Sequence, residues 1–342
     1  MLLVRPARFS DLPEIEQLSI YAGSSMTTLP NNRDHLAELI NATSSALQQD
    51  VWRPGAESYH FVLEDTLNQQ VLGIAGIEAC VGKRSPFYSY RCDELEHHSS
   101  ALQIHSCVPT LHLCRDYEGH SRLFTFYIRP DAYAQYQLEL LSLSRLLFIA
   151  SQRERFSENI LVELQGARDE QQQSPFWQAL GRHFYNMDLH RANYLTGIND
   201  KGFIADLMPR HPVYVPLLTE SAQQAIGQLR PDRYEIAELL EQQGFARNNY
   251  VSIFDAGPTF EAATQTLATI RDCQQLRPDI GSKLAEQGQM CIVSNEKLLD
   301  FRAILVATDP QKPRLTADQA QMLKLEEEDP INLYALQHEP MI

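Results

Sequence analysis

The sequence predicts an α+β fold, in which helices cover a mixed β-sheet. Apolar segments of strand length and of helix length follow one another in mixed order along the chain, a pattern typical of α+β proteins. The chain opens with a strand at Leu2–Arg5 and a helix that Ser10 caps. Much later, a helix at Ile236–Gln243 stops at Gly244 and leads into a strand at Tyr250–Asp255. These pairs of strand and helix fit a sheet layered with helices.

The next elements are assigned by the period of their apolar residues. A helix is predicted at Arg33–Leu47, and two strands follow at Tyr59–Glu64 and Val71–Val81. The second strand contains Gly73 and Gly76. Glycines inside a strand indicate a bulge or a close approach of another backbone.

The segment from Ser85 to Val108 is predicted to be irregular. Two pairs of histidine and cysteine lie in this segment and just after it, His105 with Cys107 and His112 with Cys114. Each pair could share one face of a strand, which would suggest a zinc site. Their spacing matches no closed zinc pattern. We therefore interpret them as ordinary strand residues and predict no metal site.

A strand, a long helix and a second strand are predicted at Ser121–Arg129, Tyr133–Ser151 and Ile160–Leu164. Composition then changes after residue 257, which predicts a body of residues 1–257 and a small β-rich module of residues 258–342. The body contains two similar helix-to-strand endings, so an internal duplication with a second half from near residue 160 remains open. The module's predicted elements are a flexible excursion at Pro278–Gln289, strands at Cys291–Val293, Phe301–Ala307 and Asn332–Leu336, and a helix at Leu315–Lys324.

The stretch from Ser174 to Leu218 combines an aromatic helix with a proline-framed segment. Its first residues, Ser174-Pro175, are a capping hydroxyl and a proline at the first helical position. The apolar side chains on one face of this helix are Phe176, Trp177, Leu180, Phe184 and Tyr185. Pro209, Pro212 and Pro216 then interrupt an apolar run that cannot remain helical. The pattern predicts a buried helix that leads into a stiff, extended connector.

Bulk properties exclude several classes of function. The formal net charge of −15 over 342 residues argues against nucleic-acid binding, which needs a basic surface. No run of about 18 apolar residues and no signal-peptide core is present, so we predict a cytoplasmic protein without a membrane partner. The six cysteines form no C-x-x-C pair and are predicted to be free thiols.

Several short sequence motifs give a more specific indication. The stretches SPFW-ALG--F--MD, FIA-LMP-HP-YVPLL, PTL-LC-DYEGHS-L and GF--N-Y--IFD-GPT together resemble the arginine N-succinyltransferase family over roughly Met1 to Thr259. The resemblance implies a GNAT-type acyl-CoA N-acyltransferase sheet. It also implies transfer of a succinyl group from succinyl-CoA to the α-amino group of L-arginine, or of ornithine, as the first step of arginine degradation. No metal is implied.

The family position that binds succinyl-CoA matches Phe126, with Thr125 and Tyr127 beside it. A buried aromatic residue in the core of a strand is an equally acceptable interpretation of Phe126. GNAT-type chemistry also needs a base for the amine, donors for the oxyanion and a pocket for the CoA phosphates.

Two departures from the family pattern affect this interpretation. The loop at residues 130–137 lacks the glycines that usually hold the pyrophosphate, which resembles the α-chain version of the family, a chain that assembles with a related β chain. The implied partners are this β chain, a second copy of the chain itself, or both. Cations that could replace the glycines are Arg122, Arg129 and Arg145.

The second departure is Arg230, which stands where the family has its proton-donor histidine. Arginine stays protonated and cannot transfer a proton at neutral pH, although it can bind a carboxylate. His120, His183 and His211 are candidate replacements, and each can equally be structural. The alternatives are a non-catalytic subunit, or an N-acyltransferase for another acyl-CoA or amine.

Overall fold

The computed structural model describes residues 1–23, 26–198, 207–209, 211–281 and 288–337. The strands that it describes are β1 Leu2–Pro6, β2 Ser58–Asp65, β3 Gln70–Glu78, β4 Ser89–Ser99, β5 Ile104–Cys114, β6 Ser121–Ile128, β7 Asn159–Glu163, β8 Val213–Tyr214, β9 Ala246–Ser252, β10 Pro258–Ala263, β11 Gln274–Leu276, β12 Asp279–Gly281, β13 Gln289–Ser294, β14 Ala303–Thr308, β15 Arg314–Thr316 and β16 Ile331–Ala335. The α-helices are α1 Leu12–Ala22, α2 Arg33–Gln48, α3 Gln135–Ser151, α4 Arg182–Tyr185, α5 Leu189–Ile198, α6 Glu220–Ala225, α7 Tyr234–Gln243, α8 Ala268–Arg271 and α9 Ala317–Met322. Residues 201–206 of the predicted apolar run and residues 282–287 of the predicted excursion lie outside the described residues.

Fourteen of these strands form one sheet, in the order β11-β16-β13-β14-β1-β2-β3-β6-β7-β10-β9-β4-β5-β8. Neighbours in this sheet run antiparallel, with the exception of β6 and β7, which are parallel. The predicted α+β class is therefore confirmed. The parallel pair lies near the middle of the sheet, where the candidate site is found.

Helices cover the two faces of the sheet. Helix α3 is buried along its length on one face, and α7 packs into the same core cluster beside it. Helices α1 and α2 cover the other face, against the side chains of Val62 and Ile74. The sequence predicted that Gly244 ends its helix. In the structure Gly244 does end α7, with a left-handed φ of 101°.

The prediction for residues 85–108 was wrong. Most of this segment belongs to β4 and β5, which pair with each other over eleven residues, from Ser89 with Cys114 to Ser99 with Ile104. The outer half of this hairpin is mostly exposed, so no apolar face is needed there. With both faces of this half exposed, the sequence lacks the apolar alternation that marks a half-buried strand.

The aromatic helix is buried, but its apolar face is smaller than predicted. Phe176, Trp177, Leu180 and Tyr185 pack on the β4-β5-β9 part of the sheet, with the indole of Trp177 stacked on Tyr185. Phe184 is 39% exposed, contrary to the prediction. Residues 177–181 form a π-helical turn, which shifts the later residues away from the face expected for an α-helix.

Most of the C-terminal strands continue the same sheet, whereas β12 and β15 pair with each other in a separate two-stranded sheet. β10 lies between β7 and β9, inside the body sheet, and β14 pairs with β1 to attach the remaining strands at one side. The division into domains at residue 257 stays a prediction, but hydrogen-bonded pairing crosses it. None of the described helices is both long enough and apolar enough to cross a bilayer.

Candidate active site

The parallel strands β6 and β7 separate halfway along their length. They pair from Ser121 with Ile160 to Leu123 with Val162, and no further pairing between them is present in the described residues. After β7 the chain turns to meet another segment, where Gly166 bridges to Leu229. The second half of β6 therefore has an edge with no strand partner on the β7 side.

A bulge lies at the point of separation. On β3, Ala75 is the single residue between those paired with Tyr127 and Phe124, whereas β6 has Thr125 and Phe126 between them. Thr125 has a φ of 48°, which is a strained conformation for a β-branched residue. Its hydroxyl donates to the carbonyl oxygen of Thr28 at 3.3 Å. Such strained residues concentrate at functional sites.

The glycines of β3 permit this geometry, as the sequence predicted. A Cβ on Gly76 would lie 2.7 Å from Cε1 of Phe124, and one on Gly73 would lie 2.7 Å from the carbonyl oxygen of Tyr127. The ring of Phe124 thus lies over a position without a side chain. Its edge reaches His60, with the ring centroids 5.1 Å apart.

A cleft of about 570 Å³ passes through the opened sheet. Thr28, Leu39 and His60 line it on the α2 face, whereas Phe126, Arg145 and Arg233 line it on the α3 and α7 face. Alternate side chains of a strand face opposite sides of a sheet. A single cleft with lining from both helix layers therefore connects the two faces through the gap between β6 and β7.

The α2 side of the cleft carries an ion cluster. The guanidinium of Arg122 lies 2.8 Å from a carboxylate oxygen of Glu78 and 3.8 Å from one of Glu163. The rings of Phe87 and Phe124 each lie 5.0 Å from its central carbon. Glu38 and Arg84 line the same side.

Two histidines also line this side of the cleft. The Nδ1 of His60 lies 3.2 Å from the hydroxyl of Thr43, and its Nε2 has no hydrogen-bond partner among the described residues. Burial lowers the pKa of His60 to about 3. Burial also lowers the pKa of His35, which is partly exposed and close to Glu38. Both rings are therefore neutral at pH 7.

The α3 side of the cleft carries two arginines. Burial lowers the pKa of Arg145 to about 9, and the ring of Phe126 lies 5.2 Å from its guanidinium carbon. Burial likewise lowers the pKa of Arg233, which forms a 3.2 Å ion pair with Asp232. Both guanidinium groups remain charged at neutral pH.

The structure brings only some predicted site residues to this cleft. Thr125 and Phe126 line it, whereas Tyr127 is not part of the described lining and packs against the α1–α2 core. His120 lies elsewhere, 3.2 Å from Glu261, and His211 is exposed before β8. Another exposed histidine is His183.

Arg230 lies beside the cleft but not in its described lining. Its guanidinium forms two hydrogen bonds with Asp232, at 2.5 and 2.8 Å. Its backbone N–H donates to the carbonyl oxygen of Gln165, and Gln165 does line the cleft. The described part of the proline-framed segment contains β8, which pairs with β5 at the end of the sheet.

The glycine-free loop also has a defined structure. Residues 130–132 form a 3₁₀ turn, and Arg129 pairs with the exposed Asp131. Helix α3 begins soon afterwards, with no side-chain cap at Ala134. The first N–H groups of α3 are therefore left for another acceptor.

Sequence reasoning did not identify His35, His60 or Glu163 as cleft residues. The one available signal was His60, a polar residue between Tyr59 and Phe61 in an otherwise apolar strand. Within the part of the chain that the structure describes, no group of three or more histidine, cysteine, aspartate or glutamate residues could hold a metal ion.

A mixed sheet in which two parallel strands separate beside a bulge in one of them, with a cleft that connects both helix layers, is the arrangement expected of a GNAT-type N-acyltransferase. Comparisons with known proteins make the assignment more specific. The family model described as arginine N-succinyltransferase beta subunit matches residues 2–269. The arginine N-succinyltransferase subunit alpha of Pseudomonas aeruginosa is 38% identical over 339 residues, which cover 98% of this chain and all of the relative.

Two further relatives agree over similar lengths. The arginine N-succinyltransferase of Yersinia pestis (strain Pestoides F) is 39% identical over 344 residues, covering 98% of each chain. The solved structure of arginine/ornithine succinyltransferase subunit AI from Pseudomonas aeruginosa matches with a TM-score of 0.90 and 37% identity, again over 98% of each chain. The chain belongs to the arginine N-succinyltransferase family.

Proposed function

We propose that this protein transfers the succinyl group of succinyl-CoA to the α-amino group of L-arginine, with ornithine as a second acceptor. Full-length membership of the family and the cleft through the sheet support this proposal. The observation that carries it is the unpaired second half of β6, beyond Leu123. An extended thioester can lie along this edge, as an additional strand would.

The charges of the cleft suggest which substrate approaches from which face. The α3 and α7 face carries Arg145 and Arg233, which suits the anionic acyl-CoA. The other face carries Glu38, Glu78 and Glu163, which suit a cationic amino acid, although Arg84 and Arg122 offset part of that charge. The two reactants then meet at the gap between the strands.

The reaction needs no covalent enzyme intermediate. The neutral amine nitrogen attacks the thioester carbon, a C–N bond forms, and the C–S bond breaks. Backbone N–H groups on the free edge of β6 can stabilise the oxyanion of the tetrahedral intermediate. The proton that leaves the nitrogen passes to a base and finally to the sulfur of CoA.

The base must be a group other than Arg230. Arginine does not release its proton, and this guanidinium is bound to Asp232. Of the histidines that line the described cleft, His60 is fully buried, whereas His35 is partly exposed to it. His35 is therefore the proposed proton acceptor, with the Glu38 carboxylate opposing the lowering of its pKa.

Assembly and location belong to the same proposal. A related β chain, a second copy of this chain, or both are the proposed partners, which the subunit name of the Pseudomonas aeruginosa relative supports. A cytoplasmic location is supported by the six cysteines, none of which forms a disulfide.

Release of free CoA thiol tests the function directly. The chain is mixed with succinyl-CoA and arginine, alone and with the related β chain, and ornithine and lysine replace arginine in parallel reactions. We expect thiol release that depends on arginine or ornithine. Absence of release in both mixtures would contradict the proposal and would leave only a shared fold.

A further inference from the structure

Arg145 is a buried cation in the cleft wall that no described carboxylate compensates. Its side chain belongs to α3 and is only 2% exposed. Burial is the one cause that lowers its pKa, and no described charged group acts on it. The two other cleft arginines with buried guanidinium groups, Arg122 and Arg233, each have a carboxylate within reach.

The hydrogen bonds of Arg145 are made to neutral acceptors and leave donors available. Its Nε donates to the carbonyl oxygen of Ser142, Nη1 to the carbonyl oxygen of Gly76 and Nη2 to the hydroxyl of Ser142, each at 3.3 Å. A guanidinium has five N–H donors. One donor on each terminal nitrogen therefore remains, and two such donors match the two oxygens of a carboxylate.

A second buried arginine shows what a purely structural role looks like. Arg155 donates to the carbonyl oxygens of Ala46 and Gln49, where α2 ends. The negative end of that helix stabilises a cation, and Arg155 is not part of the described cleft lining. Arg145 has no such explanation, because it lies within α3, away from any helix end, and is one of the residues that line the cleft.

Arg145 also lies beside the bulge in β6. It contacts Gly76, the residue paired with Phe124, and the ring of Phe126. Phe124 flanks the bulge and Phe126 lies within it, and the proposed thioester would lie at this bulge. An uncompensated buried charge is strongly unfavourable, so an anion at this position would be bound tightly.

We propose that Arg145 binds the terminal carboxylate of the acyl group, so that the protein selects acyl-CoA donors that end in a carboxylate. This inference rests on the proposed function. It identifies the residue that distinguishes a dicarboxylic acyl group from a simple fatty acyl group.

The test compares succinyl-CoA with butyryl-CoA, in which a methyl group replaces the carboxylate at the same chain length. We expect Arg145→Met to lower kcat/KM for succinyl-CoA by about 100-fold, as expected for loss of a buried charge-assisted contact, and to change kcat/KM for butyryl-CoA much less. Arg155→Met is the control: it should reduce stability and leave the ratio of the two donors unchanged. An equal loss for both donors in Arg145→Met would overturn the inference and leave the proposed function intact.

Binding measurements keep the test valid if turnover is absent or the variant does not fold. Calorimetric titration of the unmodified chain should give at least about tenfold tighter binding of succinyl-CoA than of butyryl-CoA, because the charged contact is present only with succinyl-CoA. Equal dissociation constants would overturn the inference even if thiol release is observed. Arg145→Lys, which keeps the charge, should retain part of the preference.

Discussion

Acidification is expected to destabilise this protein through His60. The ring is 2% exposed, and it contacts Thr43 and Phe124. Burial, with smaller contributions from His35 and Arg84, lowers the pKa of His60 from 6.5 to about 3. The unfolded chain therefore binds a proton at this residue far more readily than the folded protein does.

The direction and size of the effect follow from this difference in pKa. Because the folded pKa lies below the unfolded value, His60 costs no stability at neutral pH, and stability falls as the pH drops from 6.5 towards 3. The expected loss at pH 4 is about 3 kcal/mol, which is 1.36 kcal/mol for each of roughly 2.5 pH units.

Urea unfolding at pH 7 and pH 4 measures this loss. The substitution His60→Gln removes the imidazole, so its free energy of unfolding should fall by about 3 kcal/mol less than that of the unmodified chain between these pH values. Thr43→Val is the control, because it removes the hydroxyl that accepts from the backbone N–H of His60 and lies 3.2 Å from its Nδ1, but keeps the ring. It should lower stability by about 1 kcal/mol at both pH values. The reasoning is refuted if His60→Gln and the unmodified chain lose the same free energy.

Three further outcomes are expected. Gly76→Ala places a Cβ 2.7 Å from Phe124 Cε1 and should lower the free energy of unfolding by about 1–3 kcal/mol. In contrast, Gly281→Ala, whose Cβ would meet no atom of the described residues within 4 Å, should change it by less than about 0.5 kcal/mol. Equal stability of these two variants in urea would contradict the steric argument. His35→Gln should lower kcat for thiol release by about 100-fold and remove one limb of the pH–rate profile, and a kcat within twofold of the unmodified value would exclude it as the base. Arg230→His should change kcat by less than about threefold, because this position lies outside the described cleft lining, and an increase approaching 100-fold would return proton transfer to residue 230.

The local elements of the fold could be predicted because their signals lie within short windows of sequence. The period of apolar residues located α2, α3 and α7, and the two glycines of β3 correctly indicated a close approach. The β4–β5 hairpin was missed because its outer half is exposed, so its sequence carries no apolar alternation. Phe184 was misplaced because a π-helical turn shifts the face of its helix.

The candidate site could be predicted only in part. Family resemblance located Thr125 and Phe126, which do line the cleft. The same resemblance drew attention to Arg230, whose side chain binds Asp232 instead of facing the cleft. His35 carries no local signal of its position, because nothing in its own helix indicates that a cleft passes beside it.

By itself, the sequence determined the family, the α+β class and the order of most helices and strands, since each depends on residue patterns that are local or shared with relatives. Only the tertiary structure decided where β6 leaves β7 and which charges meet at that opening. Arg122 and Glu163 are forty-one positions apart, and Gly76 and Arg145 are sixty-nine apart, yet each pair is in contact. Such contacts depend on how strands pair and helices pack, and no window of sequence contains that information.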